Sequence, residues 1–245
     1  MSMSIGCVGC GNMVGAILAG LAASSLDCIL YGHTRTAARM APLEAAGVTR
    51  LDSARELARK ARYVVMAVKP YQIEALLAEM APEFGPDTVV ISVAAGISIA
   101  RLQAAVAGRC PVVRCMPNLP VVVGKGVFAL CFDDPTLDKA AADELLTMFR
   151  LMGIAVVLPE AQFPAFSSLV GCGPAFVLLF MEGLLNAGIT MGLKAGVSRE
   201  PIAAMVEEEA AAAALAEGFD GKKTIPTEKR EQLVITSETL SQEYP

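Results

Sequence analysis

The stretch from Ser4 to Gly15, SIGCVGCGNMVG, constrains this chain more than any other. A short apolar strand runs directly into Gly9-Cys10-Gly11 and then into an apolar helical pattern that has no capping side chain. Strand, glycine turn and helix in that order open a βαβ unit that receives a dinucleotide. Gly9 permits the tight turn, and Gly11 lets the backbone approach a pyrophosphate. The unpaired N–H groups at the helix start supply a partial positive charge, and Asn12 and Met13 are the first residues of that helix. The third small position of the fingerprint is Val14, with Gly15 one place late.

The next strand end indicates which dinucleotide. A strand over 27–31 is followed by Gly32-His33-Thr34-Arg35-Thr36, at the distance where an NAD site places an acid on the ribose 2′-hydroxyl. That segment holds no acid. An imidazole, two hydroxyls and a guanidinium suit a 2′-phosphate through charge-assisted hydrogen bonds, so NADPH is expected over NADH. The competing reading is a polar strand-to-helix loop with Thr34 as the N-cap.

With 245 residues and 54% hydrophobic content the chain can bury one large core or two moderate ones, and with 5% aromatic residues and no Trp that core is aliphatic. A net charge of −5 without a Lys or Arg cluster argues against nucleic acid or an anionic membrane as partner and leaves small metabolites. No basic segment precedes an apolar run at the start, and seven cysteines lie scattered through apparent core strands. Both features predict a reduced, cytoplasmic protein. Cys7-x-x-Cys10 overlaps the phosphate turn and lacks a second ligand pair, so no metal site is expected.

Strand and helix patterns alternate through residue 158. Strands are expected over 4–8, 27–31, 63–68, 88–93, 111–115, 127–132 and 155–158, with helices over 13–23, 36–46, 53–61, 73–80, 99–106 and 137–152. Strands such as Tyr63-Val64-Val65-Met66-Ala67-Val68 are apolar throughout, as in a sheet covered on both faces. The predicted fold is α/β, a Rossmann-like doubly wound sheet over 1–158, followed by an all-helical domain over 159–245. In the second part, 174–192 and 198–218 read as long helices. The first nearly matches a bilayer in length but carries Glu182 and Asn186, so it is expected to pack against a second subunit as a homodimer or larger homo-oligomer. Glu207-Glu208-Glu209 reads as a solvated helix face, and the composition turns polar from Phe219 onward.

Four further segments fall at carboxyl ends of strands: Ala67-Val68-Lys69-Pro70 with Gln72, Val93-Ala94-Ala95-Gly96-Ile97, Arg114-Cys115-Met116-Pro117-Asn118-Leu119-Pro120, and Gly171-Cys172-Gly173-Pro174-Ala175-Phe176. Together with the opening turn they resemble the pyrroline-5-carboxylate reductase family, with its G-x-G-N-M, A-V-K-P, R-x-M-P-N-x-P and S-G-S-G-P-A-Y motifs, over about residues 5–218. The resemblance implies that Gly9, Gly11, Asn12 and Met13 hold the pyrophosphate, and that His33, Thr34 and Arg35 hold the 2′-phosphate end. It also implies that Val68, Lys69, Pro70 and Ala95 line the path to the nicotinamide, that Asn118 and Pro120 sit near that ring, and that Cys172, Gly173 and their neighbours border the substrate. Arg114 reads alternatively as a structural ion-pair residue. Two departures stand out. Val170 and Cys172 replace the family's serines, and Val234-Ile235-Thr236-Ser237-Glu238-Thr239-Leu240-Ser241 stands where the family reads S-P-G-G-T-T, which implies a shortened helical domain.

The residue inventory narrows the reaction. Reduction of a ketone calls for a side-chain acid, yet the one His in the chain is His33 at the far cofactor end, and no Tyr-x-x-x-Lys pair occurs. A cyclic iminium arrives already protonated and needs only proximity and dipoles. NADPH-dependent reduction of a cyclic imino acid, with 1-pyrroline-5-carboxylate going to proline, is the leading expectation. A β-hydroxyacid-dehydrogenase-like oxidoreductase and a non-catalytic dinucleotide-binding or regulatory protein stay open as alternatives.

Overall fold

The computed structural model describes residues 3–194 and 200–206. The remainder of the helix expected over 198–218, the Glu207-Glu208-Glu209 run, the polar tail from Phe219 and the 234–241 stretch lie outside the described residues.

The chain runs β1 (Met3–Val8), α1 (Asn12–Ala22), β2 (Cys28–His33), α2 (Ala41–Ala45), β3 (Thr49–Arg50), α3 (Ala54–Lys60), β4 (Tyr63–Met66), α4 (Pro70–Met80), β5 (Val89–Ser92), α5 (Ile99–Ala105), β6 (Val112–Pro117), β7 (Gly126–Cys131), α6 (Lys139–Arg150), β8 (Gly153–Val157), α7 (Phe163–Phe166) and α8 (Gly173–Thr190). All eight strands form one sheet in the order β3-β2-β1-β4-β5-β6-β7-β8. Every pairing is parallel except that of β6 with β7. The link from Pro117 to Gly126 explains the exception: it holds only the 3₁₀ turn Leu119–Val123 and Gly124 at φ +70, whereas a parallel crossover takes about a dozen residues or more.

Alternation along the buried strands feeds two cores, one on each face of the sheet. Cys7, Val65, Ile91, Val113 and Cys115 pack with α1 and α6 on one face, while Val8, Val64, Met66, Val90 and Val112 pack with α3, α4 and α5 on the other. Gly6 marks a close strand–helix approach, because a Cβ there would stand 2.6 Å from Leu57 and 2.8 Å from Ala61.

Several elements depart from expectation, among them α7 and the π-helical turn Ser167–Gly171, which precede the helix expected from residue 174. β3, two exposed residues long, carries no hydrophobic period. The helix expected over 36–46 is a 3₁₀ turn, Ala37–Arg39, followed by α2. Pro42 explains the break, since it has no N–H to give to the residue 38 carbonyl that a continuous helix would require.

The chain divides into two compact units, Met1–Phe176 and Val177–Pro245. Its long helical run, Glu160–Thr190, spans 31 residues and is long and apolar enough to cross a membrane by length and composition. Phe176, Leu178, Leu179 and Phe180 on this run are exposed.

Candidate functional site

β2, β1, β4, β5 and β6 run parallel, so their carboxyl ends share one edge of the sheet. Register aligns those ends: Val8 pairs with His33 and Met66, Met66 with Ser92, and Ser92 with Arg114. β2 lies on one side of β1 and β4 on the other, so the connections leave in opposite directions and a crevice opens above β1. It is a cavity of about 1230 Å³ that brings together Gly9, Gly11, Asn12, Met13, His33, Thr34, Arg35, Val68, Lys69, Pro70 and Ala95, all named from the sequence.

The turn Gly9-Cys10-Gly11 lines the cavity. Gly9 sits at φ +92 and donates its N–H to the His33 carbonyl at 2.8 Å, and a Cβ at Gly9 would stand 2.8 Å from the Ala67 carbonyl oxygen. Only glycine meets both demands. Gly11 is the N-cap of α1 and offers no side-chain bond to the helix amides, and the first turn carries no acid. Ser53, Ser98 and Asp138, in contrast, cap α3, α5 and α6 with their own oxygens. The helix that opens onto the cavity therefore keeps its N–H groups and its dipole free for an anion.

At the β2 end the His33 Nδ1 lies 3.0 Å from the Leu51 carbonyl, which can only accept, so Nδ1–H donates and Nε2 is left over. Thr34 Oγ1 accepts the Thr36 N–H and caps no helix, which removes the N-cap reading. Sequence reasoning missed two charged residues here. Arg39 Nη1 lies 3.5 Å from where a Gly11 Cβ would be, and Asp52, just past β3, joins the lining. Both arrive through the short 3₁₀ turn and the two-residue strand that the sequence pattern did not predict. Among the described residues Arg35, Arg39 and Lys69 have no ion-pair partner, and these three cations line the cavity together with two carboxylates, Asp52 and Glu79.

Met116 and Pro117, at the end of β6, close the opposite wall. Asn118, Pro120, Cys172 and Gly173 do not line this cavity. Asn118 is buried, its Oδ1 accepting the Val127 N–H at 2.8 Å and its Nδ2 donating to the Val170 carbonyl at 3.4 Å. Pro120 lies in the 3₁₀ turn after β6. Cys172 is exposed and follows a π-helical turn, Ser167–Gly171, which closes with the Cys172 N–H on the Ser167 carbonyl at 3.1 Å. A Cβ built on Gly173 meets nothing within 4 Å, so the backbone there is open. Arg114 is a structural residue. Its Nη1 pairs with Glu160 Oε1 at 2.9 Å, and its guanidinium lies over the Phe163 ring. That Glu160 oxygen also accepts the Ile99 N–H at the start of α5.

Burial pushes the Cys10 thiol up to about 11 and raises Cys7 well above its ordinary value, so neither is a thiolate at neutral pH. Among the described residues no three His, Cys, Asp or Glu side chains gather as a metal group.

Two family models match the chain: one described as NADP oxidoreductase coenzyme F420-dependent over residues 4–96, and one described as pyrroline-5-carboxylate reductase dimerisation over residues 160–234. Pyrroline-5-carboxylate reductase from Escherichia coli (strain K12) is 32% identical over 196 residues, covering 79% of this chain and 72% of that protein. The solved pyrroline-5-carboxylate reductase from Coxiella burnetii superposes with a TM-score of 0.82 at 26% identity, covering 99% of this chain and 93% of that one. The Plasmodium falciparum pyrroline carboxylate reductase, solved with NADP bound, shares the fold at a TM-score of 0.81 and 23% identity, covering 99% of this chain and 88% of that one.

Proposed function

The chain belongs to the pyrroline-5-carboxylate reductase family, and on that premise we propose that it reduces 1-pyrroline-5-carboxylate to proline with NADPH. The observation that carries this reading is the uncapped start of α1 beside a left-handed Gly9, flanked by the unpaired cations Arg35, Arg39 and Lys69. The three cations at that cradle suit the phosphates of a dinucleotide that carries a 2′-phosphate. Bound there, NADPH supplies the hydride for the C=N carbon, and the ring nitrogen keeps the iminium proton to become the amine. Gly9, Gly11, Asn12 and Met13 hold the diphosphate, and His33, Thr34 and Arg35 hold the 2′-phosphate. Val68, Lys69, Pro70 and Ala95 line the way to the β6 end, near Pro120. The backbone at Cys172 and Gly173 borders the imino acid, and at Gly173 a Cβ would meet nothing within 4 Å, which leaves room for the ring to approach.

This chemistry asks little of side-chain acids. The single His of the chain is engaged with the Leu51 carbonyl at the opposite end of the cavity from Met116, which agrees with a substrate that brings its own proton. A β-hydroxyacid dehydrogenase would need a catalytic lysine on α8; Lys194 lies beyond that helix. We place the division between a nucleotide-binding domain and a dimerisation domain at 158/159, and assign the exposed apolar side chains of α8 to a second copy in a cytoplasmic homodimer.

The test is NADPH oxidation with 1-pyrroline-5-carboxylate against a panel of other cyclic imines and 2-keto acids. Turnover confined to the imines supports the reading, and preferential turnover of a 2-keto acid refutes it. NADPH binding without turnover on any of them selects the non-catalytic alternative, to which the replacements at Val170, Cys172 and Glu238 lend weight. His33→Ala should raise KM for NADPH and leave kcat at saturating cofactor unchanged.

A further inference from the structure

An α-helix asks each carbonyl to receive the N–H four residues on. Val170 looks to residue 174 for that donor, and residue 174 is a proline. The proline ring also crowds the carbonyl four residues back, and the chain answers with the π-helical turn Ser167–Gly171 immediately upstream. The Val170 carbonyl is left without its helical donor. It receives instead the Nδ2–H of Asn118 at 3.4 Å, from 52 residues away. Asn118 is itself fixed, buried at 5% exposure with Oδ1 on the Val127 N–H at 2.8 Å. The amide plane is thus held at one end by β7 and holds the π turn at the other.

We propose that Asn118 is a positioning residue that fastens the turn over residues 170–175 to the end of β6 by taking up the carbonyl that Pro174 strips of its donor. The residue sits one place beyond Pro117, which lines the cofactor cavity, and the turn it holds carries Cys172 and Gly173. A single side chain thereby fixes the distance between the cofactor wall and the backbone assigned above to the imino acid. The catalytic half of this inference rests on that assignment; the mechanical half rests on the hydrogen bonds alone.

Asn118→Asp keeps the acceptor for Val127 and removes the donor for Val170, while Pro174→Ala returns to Val170 a helical N–H of its own. In Asn118→Asp, hydrogen exchange over residues 167–176 should accelerate, because the Ala175 and Phe176 amides donate to the Cys172 carbonyl in the loosened turn. KM for the imine should rise about 10-fold or more, as expected when a substrate-bearing element drifts by a fraction of an ångström, while NADPH affinity without substrate stays as it was. Adding Pro174→Ala should restore both the exchange protection and KM. Parallel loss of NADPH affinity, or failure of Pro174→Ala to restore protection in a chain that still melts cooperatively, overturns the proposal. If Asn118→Asp does not fold, Asn118→Leu, which buries no charge, takes its place with the same expected outcomes. If restored protection is seen but no imine is reduced by any variant, the strap stands and the reductase reading falls.

Discussion

Gly9→Ala is the most informative single change, because the structure assigns it two separate costs. At φ +92 a residue with a Cβ gives up about 1–2 kcal/mol to steric conflict with its own backbone. The added methyl would also stand 2.8 Å from the Ala67 carbonyl oxygen and 3.0 Å from Val68 Cγ1, so the turn has to move away from β4. That movement strains the Gly9 N–H bond to His33, which joins β1 to β2 at 2.8 Å and contributes about 0.5–1.5 kcal/mol. A loss of about 2–4 kcal/mol follows, which lowers Tm by on the order of 10 °C in a domain of this size. NADPH affinity should fall as well, since the displaced turn no longer presents the α1 amides. Gly15→Ala is the control: a Cβ there meets nothing within 4 Å and the residue lies inside α1, so the change should stabilise by up to about 1 kcal/mol. The assay is thermal unfolding with and without NADPH, together with direct titration. A Gly9→Ala protein with native Tm and native affinity would refute the reasoning, and so would equal effects of the two substitutions.

Arg35→Ala should weaken NADPH binding far more than NADH, whereas Arg39→Ala, whose guanidinium overlies Gly11, should weaken both; fluorescence titration checks this, and equal losses for the two cofactors with Arg35→Ala would refute the assignment. Leu179→Glu places a charge on the exposed apolar side of α8 and should convert the proposed homo-oligomer to monomer or aggregate in light scattering; a stable, monodisperse monomer of the unmutated chain would defeat the expectation. Burial alone would raise the carboxyl of Asp134, but its hydrogen bonds from Thr136, Val112 and Gln103 outweigh that and hold it below the usual range. A depressed folded value stabilises above the unfolded value and is lost as pH falls through the folded one. The stability gap between the native chain and Asp134→Ala, about 1–3 kcal/mol at neutral pH, should therefore shrink below about pH 4 in urea melts.

The residues that line the cavity were legible because their requirements are local. Gly9 and Gly11 follow a strand and precede a helix, Arg35 follows the next strand, and Val68-Lys69-Pro70 joins a buried run to a helix; parallel register then carries all of them to one edge. The β-α alternation and both cores followed from period and burial for the same reason. What the sequence could not determine depends on contacts between distant segments. Arg39 and Asp52 reach the cavity through a 3₁₀ turn and a two-residue strand too short to carry a hydrophobic period, and the antiparallel β7 follows from a link too short for a crossover. Asn118 is the clearest case. Its motif pointed to the ring of a cofactor, but its amide is engaged with Val127 and with a carbonyl 52 residues away that Pro174 had left without a donor, and only the folded chain brings those three residues together.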